Sequence, residues 1–230
     1  MWAWMRTITA SPGWRTGIRM GVGLALAVFP LALSFGTAAV ASGWPPWLVV
    51  MMSAVVFAAG AQFALVVAFG EGGFIAALVA AALVNLRFVP MGAAVARSLV
   101  GGRWARSLQA QAVIDGSWAV ARRADGTFSR ETMIAASLVQ WPVWVAGSAV
   151  GAYLTPDVEI ARAWGLDAVF PAFFTVFVLD ALRDEPRHRL PVVGGAVTAA
   201  VACWFVPSGL ALLCAAVAAP LVLCRRRRSE

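Results

Sequence analysis

Long apolar stretches follow one another along almost the whole chain, and arginine-bearing loops separate several of them. The stretches cover approximately residues 20–40, 48–69, 74–96, 133–153, 166–182, 192–206 and 209–223. A helix needs about 20 apolar residues to cross ~30 Å of hydrocarbon, and a helix satisfies its own backbone hydrogen bonds in lipid. The pattern therefore predicts an all-α, polytopic integral membrane bundle with six or seven apolar segments, of which the last three are short.

Composition excludes a soluble domain. Hydrophobic residues make up 61% of the chain and charged residues only 13%, whereas soluble domains carry roughly 25% charged residues. No soluble domain or low-complexity linker interrupts the chain, so residues 1–230 are expected to form a single transmembrane domain. Every basic residue is an arginine, which excludes a Walker A lysine or a Schiff-base lysine in this chain.

Residue types that hold metals or carry out catalysis are scarce. Cys203, Cys214 and Cys224 lie in or beside late apolar segments without a Cys-x-x-Cys pattern, and the one histidine, His188, lies in a charged loop. Zinc sites and catalytic pairs need clusters of such side chains. We therefore expect no cofactor, no metal site and no enzyme activity. The arginines cluster at segment ends, so no nucleic-acid partner is expected.

The distribution of arginine predicts which loops face the cytoplasm. Cytoplasmic loops carry an excess of basic residues, and the arginines concentrate before residue 20 and at 97–130, 183–189 and 225–228. Both termini are therefore expected in the cytoplasm of a bacterial inner membrane. Three apolar segments separate the first two basic regions, however, and an odd number of crossings cannot place both regions on one side.

Three interpretations address this parity. The segment 48–69 contains Gly60 and Gln62 at its middle, and small residues beside a glutamine suit a broken or re-entrant helix. The same small residues would equally let a neighbouring helix pack closely against an ordinary span. Alternatively, the moderately apolar stretch 108–120 enters the membrane and restores the parity.

Several short motifs are each unspecific, but their order and spacing along the chain are together specific enough to compare with a protein family. They occupy residues 17–21, 29–30, 34–36, 56–63, 85–87 and 165–174. This series resembles the AzlC family of branched-chain amino-acid exporters, the large subunits of the LIV-E type, over nearly the whole chain. The resemblance implies export of branched-chain or other hydrophobic amino acids. It also implies a much smaller AzlD-type membrane subunit as partner, while the chain itself has no phosphate-binding loop for an ATPase.

The chain departs from the family's pattern at three places. Gly60 stands one position later than the family's usual glycine, and Phe88 stands where a histidine often follows the Asn-x-Arg triplet. The family's Thr-Asp-Glu element is reduced to residues 114–116, where only Asp115 remains acidic. The missing histidine and glutamate would have been proton carriers.

Arg87 lies within an apolar segment, with Asn85 before it and Pro90 after it. An arginine at mid-bilayer costs about 2.5–3.5 kcal/mol on insertion scales, so such residues usually pair or line water. In one interpretation Arg87, with Asn85, binds the carboxylate of an amino-acid substrate through its planar fork. In the other, Arg87 is structural and extends to the cytoplasmic interface.

Gly60 and Gln62 form the second candidate site. A broken helix exposes unpaired N–H groups, and a glutamine supplies a donor and an acceptor for a zwitterion. The alternative is an interhelical hydrogen bond worth roughly 1 kcal/mol. Pro30 and Pro171 each follow a phenylalanine inside a span. We predict that both prolines, like Gly60, break or hinge their helices, an arrangement that would suit an inverted repeat.

Asp115 and Asp180 are the acidic candidates for proton coupling. Asp180 is alternatively explained by an interfacial ion pair with Arg183. Ser34 and Ser53 are further candidates for substrate binding through their hydroxyls.

Three function hypotheses follow. The first is a proton-driven secondary exporter of hydrophobic amino acids that alternates around a site near Gln62 and Arg87. The second is a membrane scaffold or channel subunit without its own substrate site. The third, an intramembrane enzyme, lacks a nucleophile–base pair or paired carboxylates within the spans.

Overall fold

A computed structural model of the chain describes residues 11–154 and 189–205, together with single positions between 163 and 183. Across these residues the secondary structure is helical, apart from an isolated antiparallel bridge between Arg122 and Phe128. The helices are α1 (Pro12–Ala41), α2 (Pro46–Val55), α3 (Ala59–Asn85), α4 (Phe88–Val95), α5 (Arg103–Ala110), α6 (Asp115–Ala121), α7 (Arg130–Leu154) and α8 (Arg189–Ala202). The all-α prediction is confirmed for this part of the chain.

Three helices are long and apolar enough to cross a membrane: Pro12–Ala41, Gly72–Val95 and Arg130–Leu154. Shorter apolar helices cover Pro46–Val55, Ala59–Gly70 and Val192–Ala202. Membrane-type helices are therefore confirmed, while the number of crossings stays a prediction. The predicted segment 209–223, and most of 166–182, lie outside the described residues.

The chain divides into two compact units. One consists of Met1–Ala59 and Asn85–Leu166, and the other of Gly60–Val84 and Asp167–Glu230. Helices α1, α2 and α4 to α7 belong to the first unit. Most of α3, and all of α8, belong to the second.

Helix α1 differs from its prediction in two respects. It begins at Pro12 rather than near residue 20, because the Ser11 side chain caps the helix by accepting a hydrogen bond from the Trp14 N–H and Pro12 suits the first turn. It also continues through Pro30 without a break, so the predicted interruption there is wrong. A proline removes one helical hydrogen bond, and the long contact of α1 with α7 holds the rest of the helix in place.

Helices α1 and α7 form the most extensive contact in the first unit, and they run parallel. Ser11 donates a hydrogen bond to Glu131 at 2.6 Å near both helix starts. Thr37 donates one to the Gly151 carbonyl at 3.3 Å near both ends. The two helix starts therefore lie at the same end of the unit, as the predicted topology requires.

Glycines let the backbones of α1 and α7 touch. A Cβ added at Gly36 would collide with the Ser148 carbonyl oxygen, and one added at Gly151 would collide with the Leu33 carbonyl oxygen. Small residues permit this approach in membrane helices because neighbouring backbones can then pack without intervening side chains.

Helix α2 enters the first unit beside the ends of α1 and α7 and stops halfway along α7. Ser53 meets Ser148, whereas Phe57 packs on Trp144, which lies further back along α7. The predicted segment 48–69 is thus interrupted at residues 56–58. The prediction that Gly60 itself breaks the helix is wrong, because Gly60 is helical and the contacts of α2 with α7 fix the break earlier.

Helix α3 bends sharply at Gly73, which has φ 73° and ψ −167°. This conformation is open essentially to glycine alone. The bend coincides with the gap between the predicted segments 48–69 and 74–96.

The chain between α4 and α7 folds back against α7 around a small apolar core. This core contains Val95, Ala112, Val113, Ala121 and Met133. It holds the start of α6 near the middle of α7: a Cβ added at Gly116 would lie 2.9 Å from Gln140 Oε1 and 3.2 Å from Leu24. At 1.5 Å per residue, Gln140 is about 15 Å along the axis from Arg130.

Candidate functional site

Arg87 lies where two helices are interrupted. Pro90 has no N–H for the carbonyl of Leu86, so that carbonyl instead accepts a hydrogen bond from Val89 at 3.1 Å. Residues 86–87 consequently form a turn between α3 and α4. The turn positions Arg87 inside the apolar stretch Gly72–Val95, and its guanidinium lies 5.2 Å from the centroid of the Phe88 ring.

Asp115 is the first residue of α6, and its position depends on the preceding residues. Ile114 is extended, and its N–H donates a hydrogen bond to Ser117 Oγ at 3.2 Å. Ser117 Oγ in turn donates to the Ala112 carbonyl. This small network begins α6 abruptly at Asp115, beside the middle of α7.

The structure brings Arg87 and Asp115 together. Arg87 Nη2 lies 2.8 Å from Asp115 Oδ2, and the two side chains are 28% and 33% exposed. Each residue was a candidate from the sequence, but the pairing was not predicted. The pair is compatible with both interpretations of Arg87 given above, as a substrate-binding residue and as a structural one, and both stay predictions.

The ion pair removes two uncompensated charges from an apolar environment. A single charge there is costly, and a close opposite charge offsets that cost only with good geometry. Partial exposure leaves both side chains within reach of a solute.

Asn85 lies two residues before Arg87 and is partly buried. Its Oδ1 is buried and accepts no hydrogen bond from any residue that the structure describes. Such an acceptor is costly unless water or a ligand satisfies it. Asn85 thus stays a candidate for ligand binding beside the ion pair.

The other predicted site residues fall into three groups. Ser53 is fully buried and donates a hydrogen bond to Ser148 Oγ at 2.8 Å, so it joins α2 to α7. Ser34 is 5% exposed within α1. Gly60 and Gln62 are buried at the start of α3, in the second unit. Asp180 and Pro171 lie outside the described residues.

A groove of about 420 Å³ runs along α7 in the first unit. Its walls include Ala54 and Val55 at the end of α2, Leu108 and Ala112 before α6, and Trp141 on α7. The groove is mostly apolar, and it lies between the two segments that end near the middle of α7. Sequence reasoning missed it because it arises from helix ends that are distant in the chain.

Trp141, which lines the groove, and Gln140, which contacts the start of α6, were not among the predicted site residues. Trp141 Nε1 donates a hydrogen bond to the Ala54 carbonyl at 3.1 Å, and Gln140 is 1% exposed against the start of α6. A glutamine in the apolar segment 133–153 was a usable signal. Within the described residues, no group of three His, Cys, Asp or Glu side chains is placed to hold a metal ion.

The structure is that of a polytopic helical membrane protein. Its helices are long and apolar, the chain is interrupted at 56–58 beside the middle of α7, and an ion pair lies within an apolar segment. The family model described as "AzlC protein" matches residues 23–156, which is more than half of the chain and includes both Arg87 and Asp115. The chain belongs to the AzlC family, which confirms the resemblance.

Two relatives extend the comparison. An "Uncharacterized membrane protein" of Archaeoglobus fulgidus is 26% identical over 225 residues, covering 95% of this chain and 97% of the relative. The "Inner membrane protein YgaZ" of Escherichia coli (strain K12) is 27% identical over 215 residues, covering 81% and 86%. No solved structure matches the chain.

Proposed function

We propose that this chain is the carrier subunit of a proton-coupled secondary exporter, which moves branched-chain or other hydrophobic amino acids across the inner membrane. The observation that carries the proposal is the 2.8 Å ion pair between Arg87 and Asp115 within an apolar helical bundle. The guanidinium fork binds a carboxylate through two hydrogen bonds, and the aspartate accepts a proton.

The passage is proposed to lie where two segments end near the middle of α7. Re-entrant segments free backbone groups, which is acceptable in a membrane only where those groups face protein or a water-filled cavity. The break at 56–58 and the start of α6 are such places. We propose Gly60, Gln62 and Asn85 as polar contacts for the substrate, with Ser34 and Ser53 contributing hydroxyls.

Alternating access would move segments around this passage, with Pro171 as a hinge position. Asp180 is a second proposed proton carrier. We further propose that an AzlD-type small membrane subunit assembles with this chain in the lipid bilayer. Both termini are proposed to face the cytoplasm.

The test is transport by purified protein, with its small partner, in proteoliposomes. Labelled leucine, isoleucine, valine and methionine are followed with and without a pH gradient. We expect at least one to move, and to move faster when the gradient is present. If none moves, the exporter proposal is wrong.

A matched pair of variants assigns the site. Arg87→Gln should abolish transport while assembly is preserved. Arg123→Gln removes an arginine from an exposed loop and should leave transport unchanged. If both variants transport equally well, Arg87 is not part of the substrate site; the same result for Gln62→Ala would support the alternative, a scaffold or channel subunit without its own substrate site.

A further inference from the structure

Arg87 and Asp115 are complementary to the two charged ends of a free amino acid. At neutral pH an α-amino acid carries a carboxylate and an ammonium on the same carbon atom. The carboxylate matches the guanidinium of Arg87, and the ammonium matches the carboxylate of Asp115. A zwitterion placed between them satisfies both charges at once, and the site stays neutral as a whole.

We propose that Asp115 is the ammonium-binding residue, and that the substrate's ammonium and a proton compete for its carboxylate. This inference rests on the proposed export function and adds its recognition and coupling step. The ion pair ties the 86–87 turn to the start of α6 in the empty state. Either a zwitterion or a proton on Asp115 Oδ releases that tie.

Competition for one carboxylate sets the direction of coupling. When the ammonium leaves, the Asp115 carboxylate either pairs with Arg87 again or binds one proton. When an ammonium binds, that proton is released. The proton and the substrate exclude each other, and we take the ion-paired site to be the state that does not change access, so the carrier exchanges one proton for one amino acid. The protonated empty site carries the extra positive charge of Arg87, so the exchange also moves charge across the membrane.

Among the residues that the structure describes, Arg87 is the charged group that interacts electrostatically with Asp115. Helix α7 presents the neutral amide of Gln140 to the start of α6, and α1 presents Leu24. Arg122 and Arg123 lie beyond the opposite end of α6, in an exposed loop. A change of charge on Asp115 therefore acts chiefly on the Arg87 pair.

The test compares leucine with its α-keto acid, which keeps the carboxylate and lacks the ammonium. Binding to purified protein is measured by thermal shift and by competition with labelled leucine. The wild type should bind leucine at least tenfold more tightly than the keto acid. Lowering the pH from about 8 to about 5 should weaken leucine binding through competition by protons.

Asp115→Asn should reverse this selectivity. Leucine binding should weaken at least tenfold and lose its dependence on pH, whereas the keto acid should bind as well as before or better, because Arg87 no longer has a competing carboxylate. A merely structural role would weaken both ligands equally. Asp115→Glu keeps the carboxylate and should retain the preference for leucine and the pH dependence, which provides the test if the asparagine variant does not fold.

The outcomes separate this inference from the export function. If the wild type transports leucine but Asp115→Asn still prefers leucine over the keto acid with unchanged pH dependence, the competition is overturned and export stands. The same conclusion follows if Asp115→Glu loses the preference for leucine. If no amino acid moves or binds in the wild type, both proposals fail.

Discussion

At the scale of single residues, the contribution of the Arg87–Asp115 pair to the stability of the folded protein depends on both partners. Removing one charge leaves the other in an apolar environment without compensation, whereas removing both leaves no charge there. The pair is part-exposed, so solvent lowers the cost of a single removal below that for a fully buried pair.

A double-mutant cycle tests this dependence. We expect Arg87→Gln or Asp115→Asn alone to reduce stability by about 1–3 kcal/mol, less than the roughly 3–5 kcal/mol of a fully buried pair. The double variant should be more stable than the sum of the single losses predicts. Thermal unfolding in detergent measures all three, with Arg123→Gln as the control. Strictly additive losses would contradict a direct interaction.

Gly36 gives a second prediction at this scale. A methyl group there would collide with the Ser148 carbonyl, so Gly36→Ala should reduce the free energy of unfolding by about 1–3 kcal/mol through overpacking. Gly23→Ala on the same helix meets nothing within 4 Å and should be nearly neutral. Equal melting temperatures for the two variants would mean that α1 and α7 do not touch at Gly36.

The sequence identified Arg87 and Asp115 separately because each is a polar residue in an apolar context. Their pairing could not be predicted, since no helical periodicity relates two residues on different elements. The glycine contacts of α1 were missed for the same reason. The sequence alone does not distinguish a glycine at a helix contact, such as Gly36, from Gly23, where an added Cβ would have no atom within 4 Å.

At the scale of elements, the end of α2 shows how a helix stops inside an apolar unit. The last carbonyls of a helix have no partner within it, and water is scarce among apolar neighbours. Trp141 supplies one partner through its hydrogen bond to the Ala54 carbonyl. The Val56 N–H donates to the Met52 carbonyl at 2.7 Å and completes the last turn.

Trp141→Phe tests this anchor because it keeps the ring and removes the donor. Loss of the bond should cost about 1 kcal/mol and should speed hydrogen exchange of the amides around 52–58. Trp104→Phe is the control, since Trp104 is 74% exposed on α5. If exchange at 52–58 is unchanged, the end of α2 does not depend on Trp141.

Element types were predictable from apolar length, but element boundaries were not. Apolar runs predicted α1, α7 and α8, whereas the bend in α3 at Gly73 falls in the gap that was left between two separate predicted segments. Pro30 was expected to break α1, yet packing against α7 outweighed the loss of one hydrogen bond. The interruption in 48–69 lies at 56–58 because contacts with Trp141 and Trp144 set it, and no local pattern encodes those contacts.

At the scale of the whole molecule, the parallel course of α1 and α7 makes a topological prediction. The turn after α1, with Ser42, and the loop before α7, with Thr127, lie at opposite ends of the first unit. They should therefore face opposite sides of the membrane. The arginine distribution predicts that Thr127 faces the cytoplasm.

Cysteine labelling checks this arrangement in a background where the three native cysteines are replaced by serine. Ser42→Cys should react with a membrane-impermeant maleimide only from the periplasmic side. Thr127→Cys should react only from the cytoplasmic side, in inside-out vesicles. Labelling of both from the same side would contradict parallel spans.

Composition alone was enough to predict a membrane protein, and the motif series predicted its family. The course of the chain between α1 and α7 was left open among three interpretations. Two of their features occur in the structure: a helix interrupted at 56–58, and a stretch around 108–120 that reaches the middle of α7. Whether either segment enters the membrane without crossing it stays a prediction.

The glycine contacts of α1 and α7 have a mechanical consequence. Where two backbones touch, no side chain between them can change its rotamer to absorb movement, so the two helices must shift together as a fixed frame. Any opening of the Arg87–Asp115 tie must then be accommodated by the shorter pieces that carry the two residues, namely the 86–87 turn with α4 and the 96–129 stretch. Crosslinking α1 to α7 should accordingly leave the working cycle intact, whereas crosslinking α6 to α7 should arrest it.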